Sequence, residues 1–158
     1  MPSYSGPIIE THDLGHTFQD GSVALRGVNL TVHPGEFILC AGRNGSGKTV
    51  FSRHLNALYK PTKGWVKIDG KDTSKNPFYA RQTVGLVFQD ADSQIVGQTV
   101  RQDIAFGPRN LRIDKSEIEQ RVHAALHTLD LQDLADHRPH QLSGGEKRRL
   151  AIASVISM

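Results

Sequence analysis

The chain has 158 residues, 19 basic against 16 acidic side chains for a formal net charge of +3, and one cysteine. That length makes one domain's worth of buried core. A basic surplus so small does not by itself indicate nucleic acid, and the lone Cys40 excludes an internal disulfide and fits a reducing compartment. The apolar runs "FILCA" and "LAIA" are far shorter than the ~20 residues a membrane span needs. The N-terminus "MPSYSGPIIETHD" has no apolar core behind a basic flank, so a soluble, cytoplasmic chain is expected.

In chain order, residues 8–18, 27–33 and 36–41 read as strands. The third runs Phe37, Ile38, Leu39, Cys40 without alternation, as a strand covered on both faces would. Cys40 is therefore expected to be a small buried apolar side chain. Residues 48–59 read as a helix with Phe51, Leu55 and Leu58 at helical spacing, ended by "KPTKG". "GWVKIDGK" and "TVGLVFQ" read as two further strands. After Gln89 the texture turns helical. Thr99 to Gln102 and Asp114 to Glu117 resemble capping boxes, and the second opens a helix with Ile118, Val122, Ala125, Leu126 and Leu129 on one face.

The strongest chemical signal is "GRNGSGKT", residues 42–49, placed between a strand and a helix. Gly42, Gly45 and Gly47 let the backbone turn tightly and aim successive N–H groups at phosphate oxygens. The helix N-terminus adds about half a positive charge. Lys48 brings a full charge to the terminal phosphates, and Thr49 a hydroxyl for Mg2+. Many chemistries use such a loop, so it names no function alone.

A second signal is "HQLSGGEKRRLAIASVISM". Ser143 and Glu146 fit a capping box, but that does not account for Gly144 and Gly145, each costing about 1 kcal/mol against alanine in a helix. Nor does it account for Lys147, Arg148 and Arg149, cations at the disfavoured end of a helix. An anion at this helix end would explain both. Two such ends could grip one nucleotide or two.

"LSGGE" and "GRNGSGKT" together resemble the ATP-binding subunits of ABC transporters, and the likeness covers nearly the whole chain. It implies an α/β P-loop NTPase fold with an N-terminal antiparallel β subdomain, a partial core sheet and an inserted helical subdomain. The expected divisions are residues 1–89 (nucleotide-binding core), 90–141 (helical subdomain) and 142–158 (signature helix). Matched onto this sequence, Gly42, Arg43, Asn44, Gly45, Ser46, Gly47, Lys48 and Thr49 bind ATP and Mg2+, with Lys48 serving catalysis. Phe18, in "GHTFQDG", takes the place of the aromatic that stacks on adenine, where tyrosine is more usual. Gln89, in "LVFQD", takes the place of the glutamine that reaches Mg2+ and the attacking water and links the site to the membrane partner. Ser143, Gly144, Gly145 and Glu146 take the place of the signature that closes over the ATP of a second subunit. The resemblance thus implies a head-to-tail homo- or heterodimer, docked on transmembrane subunits at the inner face of the cell membrane.

"FQDADSQIVGQTVRQDIAFGPRNL" and "PHQLSGGEKRRLAIAS" are close to the subgroup serving energy-coupling-factor and cobalt-type importers, implying ATP-driven uptake of a metal ion or vitamin. Asp90-Ala91 replaces the usual Asn-Pro there, and Ser93 replaces an acid. In that family the signature helix leads to a strand ending in a magnesium-supporting aspartate and a water-activating glutamate. Neither is in these 158 residues, so the C-terminal half of the core is expected to be missing. The chain alone is expected to turn ATP over only at a trace rate, with residues 150–156 poorly covered. Rival readings are a non-hydrolysing nucleotide-binding remnant, and an ABC-type ATPase of translation or DNA maintenance. Residues 50–142 hold no sustained heptads, against the coiled coil of DNA-maintenance members, and no nucleic-acid partner is expected. His123 and His127 read as a solvated helix face, and Trp65 as strand packing. Asp69, Asp72 and Asp103 show no catalytic pattern.

Overall fold

The computed structural model describes residues 6–158; the opening residues 1–5, part of the stretch read above for a signal peptide, lie outside it. The chain divides into two compact units, one ending at Val84 and one running Gly85–Met158.

The first unit is built on an antiparallel sheet of β1 (Ile9–Thr17), β2 (Val23–Val32), β3 (Lys63–Ile68) and β4 (Lys71–Asp72), ordered β2-β1-β3-β4. Ile9 sits opposite Val32 on one side and Ile68 on the other, which makes β1 a central strand. "GWVKIDGK", expected as one strand, folds back on itself. Asp69 and Gly70 both have positive φ, 46° and 73°, the backbone of a two-residue hairpin turn.

On this sheet lies α1 (Lys48–Leu55), and α2 (Pro77–Thr83) follows β4. Leu14, Leu25 and Val66 are buried beneath Val50, Phe51 and Leu55 of α1. The helix stops short of Tyr59 because Ala57 turns left-handed (φ 56°) and the Leu58 N–H bonds back to the Arg53 carbonyl. Leu58, expected on the packed face, is exposed. His54 is fully buried. Its Nδ1 lies 2.7 Å from the Val50 carbonyl, and its Nε2 lies 3.2 Å from His16 Nδ1. A carbonyl only accepts, so Nδ1 of His54 donates and the neutral ring receives the His16 Nδ1–H at Nε2. Burial, with the nearby His16 adding to it, holds the His54 imidazole below its ordinary 6.5 against the Val50 bond.

Two expected strands join no ladder among the described residues: 36–41 and 83–89. Phe37 is 91% exposed, Leu39 80%, and Cys40 is exposed rather than buried. A core strand is held by neighbours on both edges, and no described strand pairs with either segment. Apolar sequence alone does not supply those neighbours.

The second unit packs α3 (Val100–Asn110), α4 (Lys115–Thr128) and α5 (Gly144–Ile156), with 3₁₀ turns at Gln132–Leu134 and Pro139–Gln141. Val100 and Ile104, Ile118 to Leu126 on the expected face of α4, and Leu150 and Ala153 form its core. Leu150 is thus fully covered, contrary to expectation, because α3 and α4 already bury that face; Ile152 and Ile156 remain exposed. Thr99 caps α3 by accepting from the Gln102 N–H. Asp114 makes no such bond, and the Glu117 carboxylate turns forward to Arg121 at 2.7 Å, so that capping box does not form. Among the described residues no helix is long and apolar enough to cross a membrane.

Asp103 is the polar anchor of this unit. Buried at 3% exposure, it accepts from the Val96 and Gly97 N–H groups at 2.7 and 2.8 Å and from the Ser154 hydroxyl at 2.7 Å. Asp103→Ala would strip three donors of a charged acceptor. The expected cost is about 3 kcal/mol of stability, read as a lower urea midpoint; a midpoint within error of wild type would show that the anchor is dispensable. In the first unit, the unfolded chain binds a proton at His54 more readily than the folded one. Stability from this group is complete above about pH 6.5 and declines as pH falls below it. Trp65, the sole tryptophan, reports melting. The drop in midpoint between pH 7.5 and 5 should shrink in His54→Phe, and an identical drop would rule out this origin.

Candidate functional site

The loop of residues 42–49 closes on its own lysine. Lys48 Nζ donates to the Gly42 carbonyl at 2.8 Å and to the Arg43 carbonyl at 2.9 Å, which curls the ammonium back over the loop. One of its three protons is left for another acceptor. Gly47 precedes α1 with φ 89°, and a Cβ there would meet the Ala24 carbonyl oxygen at 2.6 Å and Leu25 at 2.9 Å. Only glycine lets the helix start so close to β2. No side chain caps α1 at Gly47, and its first turn holds no acid. The first N–H groups and the positive end of the helix dipole therefore have no side-chain cap or acid to match them among the described residues. Gly45 is also left-handed (φ 79°) with open space around it. Arg43, Asn44, Ser46 and Thr49 are exposed.

Phe18 follows β1 in the same unit. Its N–H donates to the Ser22 carbonyl at 2.8 Å and its carbonyl accepts from Gly21 at 3.0 Å, forming the turn into β2. Its ring is 38% exposed. The hairpin that carries Phe18 is thus the one that touches the loop at Gly47.

Gln89 and Ser143 to Glu146 belong to the second unit. Gln89 is exposed beside Phe88, whose N–H donates to Gln94 Oε1 at 2.8 Å. The capping box at α5 is complete: Glu146 N–H reaches Ser143 Oγ at 3.4 Å, and Ser143 N–H reaches Glu146 Oε2 at 2.6 Å. The hydroxyl and N–H of Ser143 together hold the Glu146 carboxyl below the usual range. A Cβ on Gly144 or Gly145 would meet nothing within 4 Å, so packing within the chain does not demand these glycines. Lys147 departs from expectation. Its Nζ pairs with Asp92 at 2.6 Å, with only 20% of the side chain exposed, so its charge is spent inside the unit.

Three contacts have no counterpart in the local sequence pattern. His16 and His54 meet across 38 residues, Asp92 reaches Lys147 across 55, and Asp103 reaches Ser154 across 51. No local spacing signals a contact between segments so distant. His123 and His127 are exposed on α4, and Trp65 on β3 stacks with His12 at 5.5 Å under Lys67 at 4.3 Å.

The ABC transporter family model matches residues 25–158. The energy-coupling factor transporter ATP-binding protein EcfA of Methanocaldococcus jannaschii is 44% identical over 154 residues, covering 96% of this chain and 55% of its own length. The EcfA protein of Methanothermobacter thermautotrophicus is 45% identical over 154 residues, with 50% of its length covered. The chain spans about half the length of these curated relatives. Among solved structures, CbiO1 from Clostridium perfringens, part of the ABC transporter complex CbiONQ, superposes with a TM-score of 0.86 at 35% identity, covering 96% of this chain and 62% of that one. A glycine-built loop before α1 and a glycine-led capped helix, in a chain matched by one family model from β2 to its last residue, have one common source: the chain belongs to the ABC transporter family.

Proposed function

We propose that the chain is the nucleotide-binding part of the ATPase subunit of an energy-coupling-factor or cobalt-type importer, which uses ATP to drive uptake of a metal ion or vitamin through membrane partners. The observation that carries this reading is the Lys48 ammonium held over residues 42–49 at the uncapped start of α1. Fixed charge, free N–H groups and a glycine-only approach make a site for a triphosphate. Thr49, exposed on the first turn of α1, offers the hard oxygen that Mg2+ takes beside phosphate oxygens. Bound there, Mg2+ would neutralise charge on the terminal phosphates.

Phe18 stacks on the adenine in this reading. Gln89 serves the magnesium and water side, and links the site to the membrane partner. The signature Ser143, Gly144, Gly145 and Glu146 faces the nucleotide of a second ATPase subunit, head to tail, because the open space at both glycines admits a phosphate close to the backbone. That assembly would sit at the inner face of the cell membrane. Of the assigned residues only Glu146 is a carboxylate, and its hydrogen bonds to Ser143 keep it ionised and engaged. It is a poor candidate to take a proton from water, so these 158 residues alone should turn ATP over only at a trace rate.

Calorimetry with Mg-ATP tests the phosphate site. Lys48→Ala removes a charge-assisted contact of roughly 1.5–3 kcal/mol, an expected loss of about 10- to 150-fold in affinity; equal affinity for the two proteins would sink the reading. The base should be read by stacking on Phe18 alone, worth roughly 1–3 kcal/mol and tolerant of base identity. ATP and GTP should therefore bind within about tenfold of each other, and a preference above about a thousandfold would reveal a group that reads the base edge.

A further inference from the structure

We propose that His16 is a positioning residue for the nucleobase. Backed by Tyr59 and tied to His54, it sets the Phe18 ring in the orientation that receives a flat heteroaromatic base. This rests on the reading above that Phe18 is the stacking platform.

A phenylalanine on a surface turn ordinarily exchanges rotamers, and ordering it on binding costs side-chain entropy. Here the ring is braced. Phe18 meets His16 edge to face, with centroids 4.8 Å apart and planes at 82°. His16 in turn lies flat on Tyr59, at 5.1 Å and 11°. The brace is itself held at both ends. His16 Nδ1 faces His54 Nε2 at 3.2 Å, and the Tyr59 hydroxyl accepts from Arg53 Nη1 at 3.0 Å. His16 is buried to 9% exposure while Phe18 keeps 38%, so the support is inside and the working ring outside.

The location gives the brace its purpose. His54 lies on α1, the helix that Lys48 opens, and His16 lies on β1, the strand that Phe18 follows. The His16–His54 bond therefore joins the base platform to the phosphate loop through one helix. A platform ordered before binding adds affinity by cutting the ordering cost rather than by adding contacts. That advantage concerns the base and not the phosphates, which separates it from a packing role.

The test measures calorimetric affinity of this chain for Mg-ATP and for inorganic tripolyphosphate, with Trp65 fluorescence checking the fold. Variants are Phe18→Ala, His16→Ala, the double variant and His16→Phe, which keeps a flat ring on Tyr59. Phe18→Ala should weaken ATP about tenfold or more, as loss of a stacking platform does. His16→Ala should weaken it about fivefold by freeing the ring, with tripolyphosphate unchanged in both. The double variant should bind ATP no worse than Phe18→Ala, because the two act through one ring, and His16→Phe, which keeps the ring on Tyr59 but loses the bond to His54, should bind ATP better than His16→Ala and no better than wild type. Equal losses of ATP and tripolyphosphate in His16→Ala, losses that add in the double variant, or a His16→Phe that binds ATP no better than His16→Ala would each overturn the proposal. If Phe18→Ala weakens ATP and His16→Ala does not, this inference alone falls. If Phe18→Ala has no effect while Lys48→Ala does, the platform reading falls with it.

Discussion

The structure of the first unit depends on one close approach. Gly47 lies so near β2 that a single added carbon would sit 2.6 Å from the Ala24 carbonyl oxygen. Because that space is left empty, α1 starts directly against the hairpin, and Val50, Phe51 and Leu55 cover Leu14, Leu25 and Val66. The same approach sets the start of the helix, where the loop of residues 42–49 gathers around Lys48. The glycine thus has two roles with one cause. Its missing side chain permits packing on the sheet side, and its left-handed backbone ends the loop on the other.

From that contact the hairpin carries order outward to Phe18. The link is polar as well as apolar: His54 on α1 meets His16 on β1, and the direction of the Val50 bond dictates which nitrogen carries each proton. A buried imidazole pair of this kind is directional where aliphatic packing is not. It selects one placement of helix against strand at the cost of acid sensitivity.

The second unit solves a different problem, that of holding a nonhelical stretch against three helices. Asp103 does so with one buried carboxylate, gathering Val96 and Gly97 from the stretch and Ser154 from α5. Gly97 is required there, since a Cβ would meet Asp103 at 2.4 Å. The Lys147–Asp92 pair ties α5 to the same region. As a partly exposed ion pair it contributes less than the buried acid.

The sequence alone determined what depends on neighbouring residues. Backbone freedom at Gly45 and Gly47, the capping box of Ser143 and Glu146, and the buried face of α4 are all written within a few positions of one another, because their geometry has the period of a turn or a helix. Residues 36–41 show where such local reading stops. Their apolar run promises a covered strand, yet a strand is defined by partners elsewhere, and among the described residues Phe37 and Leu39 stand exposed without one. Lys147 likewise reads as a free cation until Asp92 is found 55 residues away. Tertiary structure alone decided the joining of His16 to His54, the burial of Asp103 and the cover over Leu150. Each is a contact between distant segments, whose free energy depends on where the whole chain places them and on which groups lose water there.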